Sequence, residues 1–131
     1  NKQFINFKLD SEKLSNKLLE IDNRVIMIIK ESFKKWFKKN VSIESILEYF
    51  IPTKMYTNNL VGFFICEIPT YENEIDINIY DKNNNLINNN QIPTIENSTN
   101  IIKLNGVYLE KNKFYCNWEI VQMKINEENE N

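Results

Sequence analysis

The chain has 131 residues, enough for one domain with a buried core, and its net charge of -2 argues against coating polyanions with the whole surface. With no histidine and only two glycines it lacks the usual general base, the usual zinc ligand and a glycine-rich phosphate loop. Since no nucleophile stands beside an evident base, the chain reads as non-enzymatic and free of cofactor and metal.

No apolar run approaches the ~20 residues that cross a bilayer, so no membrane partner is expected. Residues 1–125 read as a single globular domain and 126–131 as an acidic disordered tail around Glu127, Glu128 and Glu130. The tail has a second reading, as a phosphate mimic that competes for a basic groove. The chain opens on Asn1 rather than Met, as a processed form or one domain of a longer protein would.

Phe4, Ile5, Phe7 and Leu9 read as a short strand or an ordered lead-in. Asp10 or Ser11 then offers an N-cap, and Leu14, Leu18, Ile21, Val25, Ile28, Ile29, Phe33, Trp36 and Phe37 recur at helical spacing. That pattern predicts an amphipathic helix from Ser11 to Lys38, long enough that a break near Asp22-Asn23 stays open. Lys30, Lys34, Lys35, Lys38 and Lys39 flank its aromatic end. They read as a solvated face beside a core stripe, or as a basic ledge beside an aromatic anchor.

Ser42 caps a second helix, with Val41 and Ile46 placed as a hydrophobic staple and an end expected at Ile51-Pro52. Its buried face is predicted to be Ile43, Ile46, Leu47 and Phe50. Leu60 to Ile68 is nearly continuous in apolar residues and predicts a strand buried on both faces, ended by Pro69. Ile75, Ile77 and Ile79 alternate with polar residues as a half-buried strand does.

Residues 81–91 form an Asn-rich polar loop that Leu86 and Ile87 could close as a ribbon. Asp81 to Asn85 matches the start of an EF-hand loop, but Leu86 and Ile92 replace the glycine and the glutamate that such a loop requires. Ile92 and Ile95 suggest a short strand around Pro93, and Glu96 to Asn100 a turn. Asn40-Val41-Ser42 and Asn97-Ser98-Thr99 are formal glycosylation sequons, expected by chance in so Asn-rich a chain.

Ile101 to Ile125 then reads as a β-hairpin turning at Glu110 to Lys113, with a bulge at Gly106 preferred over an Asn105-Gly106 turn. Cys66 and Cys116 fall in apolar strands and read as buried thiols, or else as a disulfide between adjacent strands. The fold class expected is α+β: an N-terminal helical hairpin packed on a small antiparallel sheet or OB-like barrel of about five strands.

A single-strand binder needs exposed aromatics for bases and lysines for phosphates. On the hairpin these are Tyr108 and Tyr115 with Lys103, Lys111 and Lys113 nearby, joined by Lys35, Lys38 and Lys39 from the helix; Phe114, Cys116 and Trp118 are assigned to the core. An ordinary half-buried strand position is the alternative for each tyrosine.

Two blocks carry a family resemblance. One holds Asp22-Asn23-Arg24-Val25-Ile26, Trp36-Phe37-Lys38-Lys39, Ser42-Ile43-Glu44-Ser45-Ile46 and Tyr49-Phe50-Ile51-Pro52. The other holds residues 101–109, Lys113-Phe114 and the run from Trp118 to Ile125. Together they resemble OB-fold single-stranded DNA-binding proteins of nucleocytoplasmic large DNA viruses.

The resemblance implies a viral accessory protein of replication or repair whose partner is single-stranded DNA. It would work inside the host cell, in a cytoplasmic viral factory or in the virion. The rival expectation is a virion component or assembly subunit, whose aromatic hairpin meets copies of itself or other viral proteins.

Overall fold

The computed structural model describes residues 2–87 and 97–126. It divides into two compact units: a sheet unit of Asn1–Phe7, Ile65–Asn105 and Trp118–Asn131, and a helical unit of Lys8–Phe64 and Gly106–Asn117. The architecture is α+β, with helices at the N-terminal end followed by strands.

In chain order, strand β1 (Gln3–Lys8) leads into helix α1 (Glu12–Phe37), helix α2 (Ile43–Tyr49) and the short strands β2 (Phe50–Ile51) and β3 (Met55–Tyr56). Strand β4 (Gly62–Ile68) follows, then β5 (Thr70–Tyr71), β6 (Glu74–Ile75), β7 (Asn78–Tyr80) and β8 (Leu86–Ile87). The long strands β9 (Ser98–Glu110) and β10 (Lys113–Ile125) close the order.

In the helical unit, Ser11 is the N-cap of α1: its hydroxyl accepts from Leu14 N at 3.2 Å. Apolar residues at intervals of three and four keep the helix going to Phe37, and Lys38 ends it in the left-handed conformation. The helix does not break at Asp22-Asn23. Asp22 is buried on the same face as Leu18, Val25, Ile26 and Ile29, and it spends its carboxyl group on residues distant in sequence.

Ser42 caps α2 as expected, accepting from Ser45 N at 3.1 Å. Only Ile46 of α2 is buried, while Ile43 and Leu47 are exposed. Phe50 is buried too, but as the first residue of β2, because one short helix packed on α1 covers little more than a single turn of its own surface.

The sheet is mixed rather than antiparallel and has more strands than five. Its backbone path runs β1-β4-β10-β7-β8, with β2, β3 and β9 joining off that path. Parallel registers account for the difference: Phe114 lies opposite Phe50, Trp118 opposite Cys66 and Met123 opposite Ile79. In the sheet unit Cys66, Ile68, Ile79, Trp118, Ile120 and Met123 form the buried layer.

Other expectations change as well. β4 begins at Gly62 and alternates, with Phe64, Cys66 and Ile68 buried and Ile65 exposed, so it is half-buried rather than buried on both faces. The run expected from Ile75 to Tyr80 is interrupted: Ile75 closes a small hairpin with Thr70 around Glu72 and Asn73, and β7 starts at Asn78. Glu72 and Asn73 both have positive φ, the conformation of a tight hairpin turn.

Leu86 and Ile87 do close a ribbon onto Tyr80 and Ile79. Asp81 shapes that turn by accepting from Asn83 N and Asn85 N, each at 2.9 Å. Ser98 to Asn100 already belong to β9 rather than to a turn. The strand expected around Pro93 and the acidic tail after Asn126 lie outside the described residues. Asn126 itself donates from its backbone N to Asn97 O at 2.7 Å.

The β9–β10 hairpin turns at Lys111 and Asn112, both with positive φ, as a two-residue type I′ turn requires. β9 runs through Gly106, whose φ is not positive, so Asn105-Gly106 makes no turn. Tyr108 lies against Tyr115 near the turn and Asn126 N donates to Asn97 O at the far end, positions that share one register, so the bulge expected at Gly106 leaves no net offset along the hairpin.

Both cysteines are free, buried thiols, so the disulfide alternative is set aside. Burial pushes each of them up to about 12. For Cys116 the charge of the neighbouring Asp22 adds to that effect.

Candidate nucleic-acid interface

In the helical unit, the end of α1, the end of α2 and the tip of the hairpin are brought together. Phe33 meets Phe114 edge to face at 6.2 Å between ring centroids and Phe37 at 5.4 Å, linking hairpin to helix end. Lys113 Nζ donates to Glu48 O at 3.1 Å and lies 5.6 Å from the centre of the Tyr49 ring. A cation over an aromatic face and a helix-end carbonyl both favour that placement.

The predicted tyrosines do come together. Tyr108 and Tyr115 are half-buried with centroids 5.8 Å apart, and Tyr115 Oη donates to Glu110 Oε2 at 3.0 Å. The Tyr108 ring also covers Gly106, where a Cβ would stand 3.2 Å from its Cε1. The pair is therefore a cross-strand clasp with a carboxylate attached.

The predicted lysines divide into two groups. Lys103 is paired with Glu119 at 3.6 Å in the sheet unit, and Lys113 is engaged by α2. Lys111 sits exposed in the hairpin turn, and Lys35, Lys38 and Lys39 are exposed at the end of α1 together with Lys34. Among the described residues, no carboxylate pairs with any of these five.

Periodicity concealed the aromatic part of this site. Leu18, Asp22, Val25, Ile29, Phe33 and Trp36 form one stripe at intervals of four, three, four, four and three. The first four are buried and Phe33 is half-buried, yet Trp36 is 69% exposed and the adjacent Phe37 58%. The stripe outruns the surface it packs on, and α1 overhangs by its last turn.

A second feature of the unit is a buried polar node. Asp22, 3% exposed, accepts from Thr53 N at 2.8 Å and Thr53 Oγ1 at 2.6 Å, and Cys116 Sγ donates to it at 3.5 Å. The node fastens the middle of α1 to the segment after β2 and to β10. An isolated Asp in a helical pattern carries no signal for so distant a partner.

The described fold is thus an α+β protein with a lysine-rich, aromatic helix end and no helix long and apolar enough to cross a membrane. The chain belongs to the family of unknown function DUF5871, matched over residues 1–131. No curated protein and no solved structure matches it.

Proposed function

We propose that the protein binds single-stranded DNA without catalysing a reaction, as an accessory of viral replication or repair, and that binding centres on the helical unit. The observation that carries this reading is local charge. Between Lys30 and Lys39 five lysines face a single acid, Glu31, and Lys34, Lys35, Lys38 and Lys39 are exposed with no paired carboxylate among the described residues. The whole-chain charge of -2 hides that excess.

Lysines in a last helical turn also offset the helix dipole. That accounts for one or two of them and not for the continuation past the C-cap at Lys38 into Lys39. Phosphate neutralisation accounts for the group as a whole and makes affinity strongly dependent on salt.

Fluorescence polarisation of a labelled oligothymidine at low and moderate salt tests the reading. Saturable binding at micromolar protein that weakens steeply with salt is expected, and no binding at low salt would refute it.

One observation favours a second reading, an assembly surface for other protein chains. Leu60 is 80% exposed and held at φ 62° in a turn fixed by Leu60 N to Thr57 O and Val61 N to Thr57 Oγ1. A leucine displayed in a conformation that costs a side chain about 1–2 kcal/mol suits a knob for an apolar pocket. Light scattering checks this: a stable monomer in solution argues against self-assembly.

A further inference from the structure

We propose that the overhanging last turn of α1 is the stacking platform for unpaired bases, with Trp36 and Phe37 taking base faces while Lys35, Lys38 and Lys39 hold the flanking phosphates. The proposal rests on the single-stranded DNA reading above and moves its aromatic part from the hairpin to the helix.

Three observations carry it. The first is availability: Trp36 and Phe37 are the most exposed aromatics at this end, whereas Tyr49 carries Lys113 over its ring and Tyr108 and Tyr115 are half-buried against each other. A base can stack only on a ring face that water already reaches.

The second is phase. Trp36 continues the buried stripe of α1, so its side chain projects on the side that the rest of the helix turns toward the core, where the core has ended. The backbone beneath it is anchored by the Phe33–Phe114 and Phe33–Phe37 contacts, which present the ring on a rigid element rather than on a loop.

The third is charge. Lys35 is adjacent to Trp36 in sequence, and Lys38 and Lys39 follow Phe37 directly; all three are exposed, and none has a paired carboxylate among the described residues. A polyanion bearing flat apolar bases complements that combination of rings and cations. An acidic peptide would satisfy the lysines and leave the rings unused. Duplex DNA keeps its base faces stacked inside the helix, so the platform predicts preference for single strands.

The two tryptophans make the test direct, since Trp36 is exposed and Trp118 is only 6% exposed. In the free protein, iodide should quench the Trp36 emission and leave that of Trp118. A fifteen-nucleotide oligothymidine should then quench Trp36 and shield it from iodide. Trp36→Ala should weaken oligothymidine binding about 5- to 150-fold, the equivalent of one lost base stack, while Trp36→Phe retains most of the affinity.

Should Trp36→Ala fail to fold, judged by circular dichroism and the Trp118 emission, the iodide experiment on the unaltered chain decides by itself. Binding by the unaltered protein with no change at Trp36 would overturn the platform and leave the single-stranded DNA reading standing. Absence of binding would overturn both. Trp36 shielded from iodide in the free protein, with a dimer mass by light scattering, would assign the rings to a second copy and overturn the platform as well.

Discussion

Replacing Asp22 by alanine removes the carboxylate that accepts from two buried donors. Thr53 N and Thr53 Oγ1 lie 2.8 and 2.6 Å from its oxygens, and Thr53 is itself buried, so water does not replace the lost partner. A buried donor that loses its acceptor costs about 1–3 kcal/mol, and the Thr53 hydroxyl can turn toward another partner whereas the backbone N–H cannot, so a loss of about 1–3 kcal/mol is expected. Against the 5–15 kcal/mol typical of a whole domain this is a large share.

Asparagine should be milder. Its carbonyl can accept from Thr53 N while its amide donates to Thr53 Oγ1, whose hydroxyl turns to suit. A loss of about 1–2 kcal/mol is expected for Asp22→Asn. Urea unfolding followed by Trp118 emission measures each variant against the unaltered chain. A loss below about 1 kcal/mol for Asp22→Ala, at unchanged m-value, would refute the view of Asp22 as the fastening of α1. The Thr53→Val variant in a double-mutant cycle with Asp22→Ala should show coupling well above the few tenths of a kcal/mol found for independent sites.

Further outcomes follow from other parts of the fold. Leu60→Asn should raise stability by about 0.5–1 kcal/mol in urea unfolding, because asparagine tolerates the left-handed conformation and Leu60 packs on little. Cys66 and Cys116 should react slowly with a thiol-specific disulfide reagent at pH 8 and rapidly once the chain is unfolded, because both are buried with raised pKa values. Their raised values also contribute stability that is complete below the ordinary thiol pKa of 9.0 and is lost as pH rises toward about 12, so unfolding midpoints should fall above pH 9. The Asp81 carboxyl, held below the usual carboxylate range chiefly by Asn85 N, should titrate low in a carbon-detected NMR series; its turn is stabilised above the ordinary Asp value and loosens as pH falls through the lowered one.

Much of the local structure was legible in the sequence. Ser11 and Ser42 announce both helix starts because a short hydroxyl side chain is suited to capping free amides, and apolar spacing carries α1 to its end. The hairpin turn was legible from the polar run between two β-rich segments. Parallel pairing was not, because the register of Phe114 on Phe50 or Met123 on Ile79 leaves no local mark. Trp36 shows the other limit. Spacing gives the phase of a side chain around a helix and says nothing of how far the surface opposite extends.

Strand β10 receives β2, β4 and β7 in succession, so segments made early in synthesis all wait for residues 113–125. A nascent chain that has emerged only as far as Glu110 can form α1, α2 and the pairings of β4 with β1 and β3 and of β7 with β8, yet β2 has no strand to add to and β4 and β7 each keep one edge open. Translation at about 5–20 residues per second leaves those edges open for seconds. Productive folding is therefore timed by the arrival of the last long strand, and a stall before Lys113 would expose the chain to chaperones and proteases.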